Sequence, residues 1–236
     1  MSVECLIANP FRALSPNVDA EVLRLKELHR RRVSDSSTLH EGVLIMISKL
    51  IEISRSLSEC IVSHDRSKLD ESTKMVRELD EEEKILTRYL LSCGISGDMW
   101  KGVIRFPYRM KRIGDMLESI ARCIRLKAET SVPFSDAALE ETGKIFSLFT
   151  EMLTDLRESF VNPTPELLEG IETRFASLTK MIDDVRTAHW DRVEAGVCLP
   201  EASSLYRDIL DSVKLGGEYV EKMSASLLAM KEGIVD

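Results

Sequence analysis

The chain has 236 residues, 44% of them hydrophobic and 31% charged, with 11 glycines and 7 prolines, a balance that excludes disordered and fibrous classes and reads as a helix-rich soluble protein with an ample core. Its net charge of −8 repels polyphosphate backbones, which disfavours broad nucleic-acid binding unless cations are segregated on one face. The cysteines Cys5, Cys60, Cys93, Cys123 and Cys198 form no Cys-x-x-Cys pair, so neither a disulfide framework nor a zinc site is indicated, and reduced thiols in a cytoplasm fit best.

Residues 1–35 read as an N-terminal helical arm. The stretch from Met1 to Pro10 lacks the basic start and long apolar run of a secretory signal. Ser15 and Pro16, followed by Asp19 and Glu21, make a helix start, and the basic run from His29 to Arg32 suits the negative end of that helix near Val33. From about residue 39 to 63, Val43, Ile47, Leu50, Leu57 and Ile61 keep the spacing of one buried helix face. Leu69, Val76, Leu79, Leu86 and Leu90 indicate a second helix, closed by Gly94 and Gly97. The third is expected from Asp98 to about Glu129, with Ile113, Leu117, Ile120 and Ile124 as its stripe and a bend at Pro107, where a ladder hydrogen bond is lost.

Ser135 is placed to cap the fourth helix, with Phe134 and Leu139 positioned as a hydrophobic staple. Thr164 and Pro165 start the fifth. A turn from Gly196 to Pro200 leads to a sixth that ends near Gly233. No segment alternates with period two, so no sheet is expected, and the longest nearly apolar run, Gly42 to Ile47, is far short of the roughly 20 residues that cross a bilayer.

The segment from Tyr108 to Ala121 recurs in altered form from Tyr206 to Met223. Superposing Gly114 on Gly217 places Lys111 on Lys214, Asp115 on Glu218 and Ile120 on Met223, each pair 103 residues apart. The chain therefore reads as a tandem duplication of a three-helix unit, over residues 36–130 and 131–236. A glycine inside a helix costs about 1 kcal/mol relative to alanine. Close helix approach is the expected compensation, and room for a ligand is the rival one.

Both copies resemble the signature helix of the PhoU family, in which a Glu-x-x-x-Asp pair flanks a glycine. The run Met110, Lys111, Arg112, Ile113, Gly114, Asp115 stands where the family has Leu-Glu-Arg-Ile-Gly-Asp, with Lys111 in place of the glutamate. Residues 189–210 resemble the run that precedes the motif in PhoU-like domains of sodium/phosphate-cotransporter type, and the likeness covers residues from about 36 to 232. The resemblance implies an all-α, PhoU-like six-helix bundle made of two tandem three-helix repeats, preceded by the short helical arm. It also implies a non-enzymatic regulator or adaptor of phosphate transport or signalling, contacting a membrane phosphate transporter, a sensor kinase or both. No nucleic-acid partner is expected; peripheral membrane association and a homodimer are compatible with it.

In that family the paired carboxylates can help hold a surface iron or zinc cluster. Here Lys111 and Lys214 replace the first carboxylate, and an ammonium donates only and repels a cation, so no metal or other cofactor is expected. The rival readings are a metal-loaded domain using Asp115, Glu118, Glu218 and Glu221, and a helical interaction scaffold unrelated to phosphate.

At the motif-equivalent positions, Lys111 with Asp115 and Lys214 with Glu218 are spaced to pair within one helix, worth about 0.2–0.5 kcal/mol when exposed. A second feature is the basic face of Lys101, Arg105, Arg109 and Arg112, spaced by four, four and three. It is suited either to an anionic partner or to the run Asp80, Glu81, Glu82, Glu83 of the preceding helix, in which Glu83 falls on the apolar seam. The histidines His29, His40, His64 and His189 form no recognisable ligand set, and Trp100 and Trp190 read as core or interface anchors. Nothing assembles a nucleophile, base and oxyanion site, so no reaction is expected.

Overall fold

The computed structural model describes residues 39–92 and 104–232. The N-terminal arm, the closing glycines Gly94 and Gly97, Trp100, Lys101 and Gly233 lie outside the described residues. Within them the chain forms α1 (Leu39–Ser63), α2 (Arg66–Ser92), α3 (Phe106–Thr130), α4 (Asp136–Val161), α5 (Pro165–Glu194) and α6 (Pro200–Glu232), with no strand.

Local chemistry sets most of these boundaries. The chain breaks after α1 at His64, whose φ of 54° lies in the left-handed region. Asp65 then caps α2, its Oδ1 accepting from the backbone N–H of Ser67 at 2.9 Å and of Lys68 at 3.2 Å. Ser135 caps α4 by accepting from Ala138 N–H at 3.3 Å, and Thr164 caps α5 by accepting from Leu167 N–H at 3.2 Å. Gly196, at φ 70°, ends α5 in a Schellman turn: Gly196 N–H donates to Val193 O at 3.0 Å and Val197 N–H to Arg192 O at 2.8 Å.

The third helix departs from the sequence expectation. It begins at Phe106 rather than Asp98, with Pro107 in its first turn. There proline lacks only an N–H that would have no helical partner and its fixed φ suits the entry, so it starts the helix instead of bending it.

The helices run alternately up and down. α1, α2 and α3 pack on one another, α4, α5 and α6 do likewise, and the two groups meet along α1 with α4 and α3 with α6. The apolar stripes read from α1, α2 and α3 are all buried, and Phe146, Phe149, Leu156, Ile182, Ile209 and Val213 fill the corresponding interior of the second group. Each such side chain contributes roughly 1.5–3 kcal/mol on burial. At the α1–α4 seam the hydroxyls of Ser54 and Thr150 pair at 2.8 Å, and Phe106 of α3 meets the ring of Phe160 of α4 edge to face at 5.5 Å.

One acidic position was misplaced. Glu82, 6% exposed, is the member of the run that turns into the bundle, and Lys49 of α1 reaches its Oε1 at 2.5 Å and Glu78 at 3.1 Å. Glu83 instead accepts from Thr87 Oγ1 at 2.8 Å. Both positions fit a helical apolar spacing from Leu79, and the angle at which α1 crosses α2 selects the earlier one.

Candidate functional site

The two signature glycines sit where α3 and α6 press on the helix before each. A Cβ on Gly114 would come within 3.3 Å of Leu79 and 3.8 Å of Val76 on α2. A Cβ on Gly217 would come within 2.8 Å of Leu178 and 3.2 Å of Phe175 on α5, while Gly216 lies equally close to Phe149 of α4. Close helix approach is thus the packing at these glycines.

The motif-equivalent charges differ between the copies. Lys111 Nζ reaches Asp115 at 3.0 Å, as the four-residue spacing predicts, and Asp80 of α2 at 4.0 Å. Arg112 also holds Asp115, at 2.8 Å, so a metal ion at Asp115 would have to displace two cations. Lys214 does not pair with Glu218. It reaches across to Asp183 of α5 at 3.1 Å, beside Arg186, which bridges Asp183 and Asp211, and Glu218 pairs with Lys222. A lysine between two helices can reach either, and Asp183 outcompetes the same-helix glutamate because Lys222 already neutralises Glu218.

The basic face does not form one open stripe. Lys101 lies outside the described residues, and Arg105 is exposed just before α3. Arg109 turns into the α3–α6 seam, where its guanidinium donates to Lys222 O at 2.6 Å and Ser226 Oγ at 2.7 Å. Burial, with the neighbouring Arg105 charge, holds Arg109 below its ordinary range. Arg112 leans toward Tyr219 Oη at 3.5 Å. Neither Arg109 nor Arg112 meets the acidic run of α2, because α6 rather than α2 covers this side of α3.

Sequence reasoning missed a polar cluster at the opposite end of the bundle. Glu141 of α4 accepts both guanidinium Nη groups of Arg192, at 2.8 and 2.7 Å, and the Tyr206 hydroxyl at 2.8 Å. The carboxylate raises the Arg192 pKa, and burial followed by the same carboxylate drives the Tyr206 pKa far up. His189, 3% exposed, places Nε2 3.0 Å from Ser203 Oγ and leaves Nδ1 without a protein partner. Burial first, then the Arg192 charge, lowers its pKa, so the imidazole is neutral. Trp190 is 50% exposed, with Arg207 5.8 Å from its ring centre, and so is not a core residue. The signals in the sequence were Tyr206 inside the repeated segment, Cys198 inside the Gly196 turn, and the run over residues 189–210 that holds His189 and Arg192.

An open groove of about 610 Å³ runs between α1, α2 and α4. Arg55, Lys68 and Arg157 line it together with Glu52, Glu59 and Glu71, so neither sign of charge dominates. Among the described residues no three His, Cys, Asp or Glu side chains are grouped to hold a metal ion, and no helix is long and apolar enough to cross a membrane. Compared with protein-family models and with curated proteins, the sequence matches none.

Proposed function

We propose that the chain is a PhoU-like, non-enzymatic adaptor in phosphate transport or phosphate signalling, built from tandem three-helix repeats over residues 36–130 and 131–236 and acting from the cytoplasm by protein contact. The observation that carries this reading is the matched seating of the signature glycines. Gly114 rests on Val76 and Leu79, and Gly217 on Phe175 and Leu178, in each case residues three apart on the preceding helix. Helix pairings that map onto themselves when the halves are exchanged support the same reading.

The lysines at the motif positions each have an aspartate of the preceding helix within 4.0 Å, Asp80 for Lys111 and Asp183 for Lys214. Positions that resemble a metal-ligand pair thus tie helices together, which leaves a stiff bundle offering long faces to partners. Arg105, exposed at the start of α3, is the described cation best placed to meet an acidic partner segment.

Crosslinking the chain in its native cells and identifying what it captures tests the proposal. Recovery of a phosphate transporter or a sensor kinase is the expected result, weakened by Arg105→Glu. Recovery of neither, or stoichiometric iron or zinc on protein purified without chelator, overturns it.

A further inference from the structure

The open groove of about 610 Å³ has α1 as its floor and α2 and α4 as its walls, since both of these helices pack on α1. Contacts across α1 sort the charges of the groove. Ser48 accepts from Arg157 of α4 at 2.9 Å, and Arg55, two turns further along α1, falls on that same flank. Ser56 pairs with Ser72 of α2 and Glu59 with Lys68 of α2, and Glu52, one and two turns before them, belongs to the α2 flank. The α4 side thus carries Arg55 and Arg157, and the α2 side carries Glu52, Glu59 and Glu71 with Lys68. Glu52, Arg55 and Glu71 are exposed and make no ion pair or hydrogen bond among the described residues.

The chain itself supplies an occupant. α1 starts at Leu39, about 14 Å before Ser48 at helical rise, so the N-terminal arm joins the bundle at the foot of the groove. Residues 16–33, which the sequence marks as a helix, would be about 27 Å long, against about 17 Å for the floor from Ser48 to Glu59. Residues 34–38 span up to roughly 17 Å, more than the separation of about 8–10 Å between packed helix axes. In the arm Val18, Val22 and Leu25 recur at four and three, with Glu21 on one flank of that stripe and Lys26 on the other.

We infer that residues 16–33 dock in this groove as a helix antiparallel to α1, with Val18, Val22 and Leu25 against Ile51, Met75 and the aliphatic stem of Arg55. With Val33 beside Leu44, equal rise along the two helices sets Leu25 level with Glu52 and Val22 level with Arg55. The right-handed sense of a helix so placed turns Lys26 toward α2, where Glu52 and Glu71 stand, and Glu21 toward α4, where Arg55 and Arg157 stand. A helix parallel to α1 would exchange these flanks and set like charges together. It would also put Val33 at the far end of the groove, beyond the reach of residues 34–38. Tethering holds the arm at an effective concentration of about millimolar, so contacts of modest strength suffice. The docked arm takes the face of α1 that an external helix would otherwise meet. This docking is independent of the adaptor reading and survives or fails apart from it.

Zero-length carbodiimide coupling of the full native chain, with the monomer isolated before peptide mass spectrometry, tests the docking without a variant. Lys26 is expected to join Glu52 or Glu71. Peroxide oxidation of Met75, on the α2 wall, reads whether the groove is covered. Leu25→Asp, checked for folding by its thermal transition, speeds that oxidation about tenfold, as for a groove otherwise open about a tenth of the time. Lys26→Glu also speeds it, and Lys26→Glu combined with Glu52→Lys slows it again, which a general loosening of the bundle would not do. Coupling of Lys26 to neither acid overturns the proposal, as does coupling found only in a dimer, where a second copy supplies the arm. So do an unchanged oxidation rate in Leu25→Asp and a charge exchange that leaves oxidation fast.

Discussion

Gly217 is seated so tightly on Leu178 that a Cβ there would stand 2.8 Å from its Cδ2, with Phe175 a further 3.2 Å contact. Leu178 is fully buried and has little room to move. Gly217→Ala therefore destabilises the chain by roughly 1–2 kcal/mol, overpacking exceeding the helix-propensity gain of about 1 kcal/mol. Gly114→Ala meets Leu79 only at 3.3 Å and stays within about 1 kcal/mol of neutral. Gly143, exposed in α4 with nothing within 4 Å, has only the propensity gain, so Gly143→Ala stabilises by about 1 kcal/mol. Denaturant midpoints of the three variants give the ranking, and a stabilised Gly217→Ala would contradict it.

Glu141 is bonded at once to Arg192 and Tyr206, both largely enclosed. Glu141→Ala strands a guanidinium and a phenol and costs roughly 3 kcal/mol or more, whereas Tyr206→Phe leaves the bidentate ion pair intact and costs about 1 kcal/mol. A double-mutant cycle between these positions is expected to show coupling; additive losses would mean the hydroxyl contributes independently of the carboxylate.

The pKa of His189 is held below its ordinary 6.5 by burial. The unfolded chain then takes up a proton that the folded chain refuses. This contribution to stability is full above about pH 6.5 and is lost as the pH falls through that value toward the folded pKa, at up to about 1.4 kcal/mol per pH unit. His189→Gln removes the titration. The stability advantage of the native chain over this variant shrinks between about pH 7.5 and about pH 5.5, as read from paired denaturation curves. An advantage that is constant with pH would place a charged imidazole in the folded state.

Arg105 and Arg109 separate binding from folding. Arg105 is exposed, so Arg105→Glu changes stability by less than about 0.5 kcal/mol. Arg109→Ala removes two hydrogen bonds across the α3–α6 seam and costs roughly 1–2 kcal/mol. Thermal melts of the two variants check this, and a large loss from Arg105→Glu would show that its side chain is structural.

Local chemistry alone determined the all-helical character, the buried stripes of α1 to α3, the caps Ser135 and Thr164, and the turn at Gly196, because each depends on residues within a turn or two of one another. Pro107 was the local exception. Its residue type fits a kink or a first turn equally, and only the observed start at Phe106 distinguishes them. Which partner a charge takes was decided by tertiary structure. Lys214 chose Asp183 over Glu218, Glu82 rather than Glu83 turned inward to Lys49, and Arg109 met α6 instead of α2. The groove over α1 likewise needed the folded chain, since its lining comes from residues as far apart as Ser48 and Arg157. Periodicity specifies which side of a helix is apolar, but long polar side chains reach several ångströms past that boundary, so their pairing is fixed only when neighbouring helices take their crossing angles.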